Sequence, residues 1–353
     1  MLKTLSALAV ALTTSLLGPN TVTPELKNNT IDQIEKSMQE RYVFPDIAEK
    51  ASKTLRVYQR LGKYESITDG AEFARTLSTH LNEVCKDAHL RVRYSEAVLP
   101  VRVNRNAPSK EEIARAQKQE RLANVGFEKI ERLMGNIGYL KFNYFAEGAE
   151  MERPVKAAFD FLADTDALII DVRDNGGGSP DGVRHICSYL FGDKPVHLND
   201  LYFREGNQTM EFWTLKSVPG KRYVGKDVYV LTSKRTGSGA EEFSYNLKNL
   251  KRATLLGENT WGGANPGGTV RLNDHFQVFI PVGRAINPYT KTNWEGTGVE
   301  PDVRVDPKES LLKAQVMAVE KLLAAAKDDD DKKRLTEVLA LLKTPTAPSG
   351  SKS

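Results

Sequence analysis

Apolar residues recur at helical spacing over the first third of the chain and at strand spacing beyond it. Residues 24 to 86 carry three amphipathic patterns. The first runs through Ile31, Ile34 and Met38, with Thr30 and Gln33 as a capping box, and breaks at Pro45. A second passes through Ile47, Ala51, Leu55 and Tyr58 and stops near Gly62. A third opens at Thr68 or Asp69 and aligns Phe73, Leu77, Leu81 and Val84 on one face. Three such helices with short joints predict a small bundle over 24–95. Lys110 to Ala123 is charged, Ala-rich and helix-prone, which predicts an exposed connector.

Beyond Gly126 the pattern changes. Ile137–Phe142, Ala167–Val172, Val228–Leu231 and Phe276–Ile280 read as strands, with helices at Met151–Ala163, Gly182–Phe191 and Ala240–Leu250 between them. This alternation predicts an α/β (α+β) domain with parallel pairing over 100–308. Helices at Ser310–Ala326 and, more weakly, Leu335–Leu342 make up 309–343, followed by a disordered Pro- and Ser-rich tail, 344–353. The acidic run Asp328–Asp331 reads as a solvated break between them.

Composition adds exclusions. With 40% apolar and 27% charged residues and a net charge of +4, the chain has the make-up of a soluble globular protein. Its scattered Lys and Arg form no basic footprint for nucleic acid. Residues 1–20 resemble a signal peptide: Lys3, then an apolar run from Leu5 to Leu17 that is too short to span a membrane. The expectation is an exported protein, periplasmic or extracellular. Cys85 and Cys187 are read as two free thiols. Self-assembly is not set by the sequence.

Four clusters bear on chemistry. In Val228–Phe243 an apolar strand meets a turn and a helix opens at Ser238. A serine there is either a plain N-cap, boxed by Glu241, or a nucleophile beside orphan backbone N–H groups. Asp171–Pro180 holds the run Gly176-Gly177-Gly178, either a tight strand-to-helix turn or an anion cradle without Walker or dinucleotide spacing. Asp87-Ala88-His89 lies at the seam between the helices and the larger domain. Asn293–Asp302 places Glu295 in a glycine-flanked loop, where a glutamate is ordinarily just solvated. His80, His185, His197 and His275 lack a supporting motif. Trp213, Trp261, Trp294 and Tyr289 are candidates for an apolar cleft, or for core packing.

In this order, Asp87-x-His89, Asp174-Asn-Gly-Gly-Gly178, Thr236-x-Ser238-x-Ala-Glu-Glu-Phe243 and Trp294-Glu-Gly-x-Gly-Val-Glu-Pro-Asp302 resemble the tail-specific, or C-terminal-processing, serine peptidase family. The closest match is its branch of interphotoreceptor retinoid-binding-protein modules and the tricorn protease core, over roughly residues 25 to 308. The resemblance implies a ClpP/crotonase-like spiral ββα core preceded by the N-terminal three-helix bundle. It implies Ser238 as nucleophile, His89 as general base and Glu295 as its supporting carboxylate. Gly239 with Gly176 or Gly177 would form the oxyanion hole. No metal or cofactor is implied, and the substrate would be a peptide or protein. The Ser–Lys branch's lysine has no counterpart in Thr260–Gly268, and no stretch resembles that branch's PDZ domain. Gly237, Gly239 and Ala88 depart from the usual aromatic, alanine and glycine. Two other readings stand beside the peptidase: a non-catalytic module for retinoid- or fatty-acid-like ligands on the same fold, and an acyl-CoA enzyme of crotonase type, which leaves the three residues without a joint role. Catalysis by neutral His89 would make the rate rise as pH passes its pKa.

Overall fold

The computed structural model describes residues 21–101, 109–146 and 149–344. The expected signal peptide, and all of the expected tail except Thr344, lie outside the described residues.

Three helices open the chain: α1 (Pro24–Arg41), α2 (Pro45–Arg60) and α3 (Gly70–Cys85). The first is capped by Thr23, whose side chain accepts from Leu26 N–H, with proline following at N1. Thr30, expected to be the cap, is instead one turn inside, and its hydroxyl donates to the Leu26 carbonyl. Asp69 caps α3 as expected, and Lys86 ends it in the left-handed conformation. Strand β1 (Arg91–Tyr94) and the exposed helix α4 (Lys110–Leu122) follow.

The remaining elements are β2 (Phe127–Leu133), β3 (Ile137–Phe142), α5 (Ala149–Leu162), β4 (Ala167–Asp171), α6 (Pro180–Leu190), β5 (His197–Phe203), β6 (Gln208–Trp213) and β7 (Asp227–Thr232). They continue with α7 (Gly239–Asn249), β8 (Thr254–Gly257), β9 (Gly267–Arg271), β10 (Phe276–Pro281), β11 (Gly283–Ile286), β12 (Val303–Arg304), α8 (Pro307–Ala325) and α9 (Asp329–Lys343). A six-stranded sheet of order β12-β8-β7-β4-β3-β2 is parallel except at its β2–β3 edge. Its inner strands β3, β4, β7 and β8 are buried on both faces, so alternate side chains enter different cores. Leu168 and Ile170 of β4 join one core with α5, α6 and α7, while Ala167 and Ile169 join another under α8 and α9. Val228 and Val230 against Tyr229 and Leu231 repeat the split on β7. Burying each Val, Leu or Ile side chain among them contributes roughly 1.5–3 kcal/mol.

Two three-stranded antiparallel sheets, β1-β10-β9 and β11-β5-β6, complete the fold. The first changes the picture of the N-terminal bundle. Its apolar seam closes against Phe276, Val278 and Ile280 of β10, so residues far along the chain finish the helices' core. Asp328 caps α9, and Asp329, Asp330 and Asp331 form its first turn, where the helix dipole favours negative charge. The acidic run is thus a helix start as well as a break. Cys85 and Cys187 are buried and unpaired. Among the described residues no helix is long and apolar enough to cross a membrane.

Candidate active site

Adjacent parallel strands β4 and β7 end side by side, and each leads through a turn into a helix. Ligand-binding crevices of parallel sheets form at such strand ends. The two turns are stitched together. Ser233 Oγ donates to the Arg173 carbonyl (2.6 Å), Thr236 Oγ1 to the Val172 carbonyl (2.8 Å), and Gly237 N–H to the Asn175 carbonyl (3.0 Å). A Cβ on Gly177 would lie 2.7 Å from Ser238 Cβ, so only glycine permits this approach.

Ser238 stands at φ 50°, ψ −119°, a conformation that costs an L-residue about 1–3 kcal/mol and persists where the surroundings enforce it. Ser238 and Glu241 have the arrangement of a capping box, but only its Glu241 arm is a full hydrogen bond, from Ser238 N–H to Oε2 at 2.8 Å, and the hydroxyl makes none. The cap reading therefore leaves the side chain unspent. Of the three glycines expected to supply an oxyanion hole, Gly239 has an N–H with no acceptor among the described residues. The other two are corrected: Gly176 N–H donates to the Asn143 carbonyl (3.2 Å) and Gly177 N–H to Asn175 Oδ1 (2.9 Å). The N–H of exposed Gly178, in the same turn, has no acceptor among the described residues and lies 3.1 Å from where a Cβ on Gly239 would be.

His89 follows the left-handed end of α3 and precedes β1. Its N–H donates to Asp87 Oδ1 (3.1 Å), and its ring stacks on Phe279 (5.5 Å between centroids) with Trp261 edge-on (4.8 Å). Nδ1 is buried without a partner. Glu295 reaches the same place from the far end of the chain. Its Oε1 accepts from Ala88 N–H (2.9 Å), and Oε2 from the N–H groups of Ala264 (2.6 Å) and Asn265 (3.1 Å). One ligand atom each from Asp87, His89 and Glu295 lies within 4.8 Å of the others. Asp87 also accepts from Tyr42 Oη and Asn265 Nδ2, so both carboxylates are already well supplied with donors.

The serine turn and the histidine loop meet through Trp261. Its N–H donates to the Thr236 carbonyl (3.0 Å), and its ring lies 3.3 Å from where a Cβ on Gly237 would be. No hydrogen bond joins Ser238 directly to His89 among the described residues.

A profile described as peptidase family S41 matches residues 136–305, and one for the N-terminal domain of that family in eukaryotic IRBP matches residues 23–128. The chain belongs to peptidase family S41. It is 28% identical over 177 residues to the carboxyl-terminal-processing peptidase 2 of Arabidopsis thaliana, an alignment covering 47% of this chain and 31% of that protein. It is also 28% identical over 176 residues to the tricorn protease of Thermoplasma volcanium, covering 46% and 15%. The chain thus spans less than a third of the length of these two relatives. A crystal structure described as a peptidase of Parabacteroides merdae shares the fold, at 21% identity and a TM-score of 0.56, over 86% of this chain and 98% of that one.

Within this S41 chain, burial pushes the His89 imidazole down to about 4. Burial, and then the negative charge of Asp87, push the Glu295 carboxyl up to about 7. Glu242, on α7, is buried and pushed up to about 8 by desolvation. A carboxyl whose folded pKa is raised contributes stability below its unfolded pKa that is lost as pH climbs through the folded value. Glu242→Gln should therefore raise the unfolding free energy at pH 9, by on the order of 2 kcal/mol, and leave it nearly unchanged at pH 4. Equal shifts at both pH values in urea titrations would contradict a buried ionising carboxyl.

The other four histidines lie apart from this cluster: His80 bonds Tyr64, His197 bonds Asp200, His275 meets the Ser95 carbonyl, and His185 packs on Tyr189. Of the aromatic cleft candidates, Trp261 alone borders His89. Trp294 is buried with its Nε1–H on the Gly263 carbonyl, and Trp213 and Tyr289 line a separate open pocket. Sequence reading missed Gly178, Asn175, Asn143 and Asn265. Gly178 was visible as the last glycine of the run. Asn175 stood inside the Asp174-Asn-Gly-Gly-Gly178 motif, whereas Asn143 and Asn265 had no signal of their own: one acts through its backbone carbonyl on Gly176 and the other donates its side chain to Asp87.

Proposed function

We propose that the chain is a serine peptidase in which Ser238 is the nucleophile, His89 the general base and Glu295 its supporting carboxylate. The observation that carries it is the Ser238 turn: an unspent hydroxyl held at positive φ on a helix N-terminus, flanked by the unspent N–H groups of Gly239 and Gly178. An acyl-transfer site needs that combination, with donors already aimed where oxyanion charge develops.

His89 takes the Ser238 proton as Oγ attacks a peptide carbonyl. The N–H groups of Gly239 and Gly178 receive the oxyanion, and the N-terminus of α7 adds its partial positive charge. The imidazolium then passes its proton to the leaving amine, and His89 activates water to release the acyl group. Glu295 faces the imidazolium with its charge, and the backbone donors on its oxygens hold it in place. Since His89 Nδ1 is enclosed, the other ring nitrogen is the one left for Ser238. The similarity to processing peptidases and a tricorn protease supports peptides or proteins as the substrate class.

Fluorophosphonate labelling tests this. The probe should attach to wild-type protein, and peptide mapping should place it on Ser238. A folded, unlabelled protein that carries an apolar ligand through purification would instead identify a binding module on the same fold.

A further inference from the structure

Thr260 to Asn265 form a continuous strap between the serine turn and the histidine loop, and two carboxylates hold it. Glu295 takes the N–H groups of Ala264 and Asn265 and ties them to Ala88. Glu241 holds the other half. Its Oε1 accepts from Thr260 Oγ1 (2.5 Å) and Gly262 N–H (2.6 Å), and its Oε2 from Gly263 N–H (2.9 Å) and Ser238 N–H (2.8 Å). The side chain is fully buried.

A cap at an exposed helix start needs one such bond. Four, from two separate segments, meet the whole acceptor capacity of a carboxylate. Trp261, whose ring touches His89, is the strap residue between Thr260 and Gly262. Position on the serine side is thereby transmitted to the base side.

We infer that Glu241 is a positioning residue that sets the nucleophile against its base by clamping the Ser238 turn to the 260–265 strap. This rests on the peptidase reading for its kinetic consequence but not for its structural one. All four contacts are donors, two on each oxygen. An amide in place of the carboxylate would turn its NH2 toward at least one backbone N–H in either orientation, because only the Thr260 hydroxyl can rotate to accept, so Glu241→Gln breaks at least one contact although it preserves shape. The same variant would be mild at a simple cap.

The test combines hydrogen exchange with labelling on the intact protein. In Glu241→Gln, amide exchange should rise in both 236–243 and 259–265. Fluorophosphonate labelling of Ser238, per folded molecule, should slow about ten- to a hundredfold. Thr260→Val, which removes one donor to Glu241 and the acceptor of Val299 N–H, should move both readouts in the same direction by less, and Thr260→Ser, which keeps both bonds, should restore them. These two variants decide the matter should Glu241→Gln not fold. Thr165→Val, a buried hydroxyl lost at the opposite end of the sheet, should lower stability and change neither readout. Faster exchange confined to one segment, or an unchanged labelling rate, would overturn the clamp. Wild-type protein that never labels would refute the peptidase reading, and the exchange pattern would still decide the coupling.

Discussion

Ser238→Ala and His89→Ala should each lower kcat on a cleavable peptide by on the order of 10⁴-fold, and the double variant should be scarcely worse than either. The non-additivity is the informative part. Removing the hydroxyl leaves His89 nothing to deprotonate, and removing the imidazole leaves the hydroxyl at its ordinary, weakly nucleophilic pKa. Once either is gone the other contributes little. What remains comes from substrate binding and the N–H groups of Gly239 and Gly178, which neither variant touches. His89→Ala also empties the space between Phe279 and Trp261, so melting curves should accompany the kinetics. Losses that multiply in the double variant, measured with intact protein, would mean that the two residues act independently and that no dyad exists.

The pH–rate profile should rise through about pH 7, and Glu295→Gln should abolish that step. An ordinary histidine base would produce a limb near 6.5. Here burial pushes His89 down to about 4, so the base is already neutral at pH 5. Glu295, pushed up to about 7, is the group that changes charge in the physiological range. Below that value it is protonated and gives the imidazolium no support, so rate climbs as it ionises. Glu295→Gln should give a lower, flat rate from pH 5 to 8, measured as kcat/KM. Folding carries the opposite sign. The raised carboxyl stabilises the native state below its unfolded pKa, and that contribution fades as pH passes 7. Activity and stability should thus diverge with pH in wild type and become parallel in the variant. A wild-type limb near 6.5 that survives Glu295→Gln would reassign the titration to His89 and remove the carboxylate from the mechanism.

Much of the architecture was legible because it is local. Strands at Ile137–Phe142 and Val228–Leu231 and the helix after Ser238 follow from runs of apolar residues bounded by turns, and each appears within a residue or two. Thr23 was passed over for Thr30 because both offer a hydroxyl ahead of an apolar face, although Pro24 at the first helical position already marks Thr23 as the cap. Short strands such as β8 and β11 left little pattern to read, since their place is set by the partner strands they join.

By itself the sequence determined the element types, the four clusters and the serine at a strand-to-helix turn, because periodicity and turn chemistry are encoded within a few residues. The tertiary structure alone decided which donors are free. Gly176 and Gly177 are indistinguishable from Gly178 in the sequence, and they are spent only because Asn143 and Asn175 lie beside them. It likewise decided that β10 closes the N-terminal helices, and that Glu241 and Glu295 each accept donors from two distant segments. Hydrogen-bond capacity is satisfied by whichever group arrives in space, and burial shifts a pKa only once the surrounding chain has excluded water. Neither quantity exists before the chain has folded.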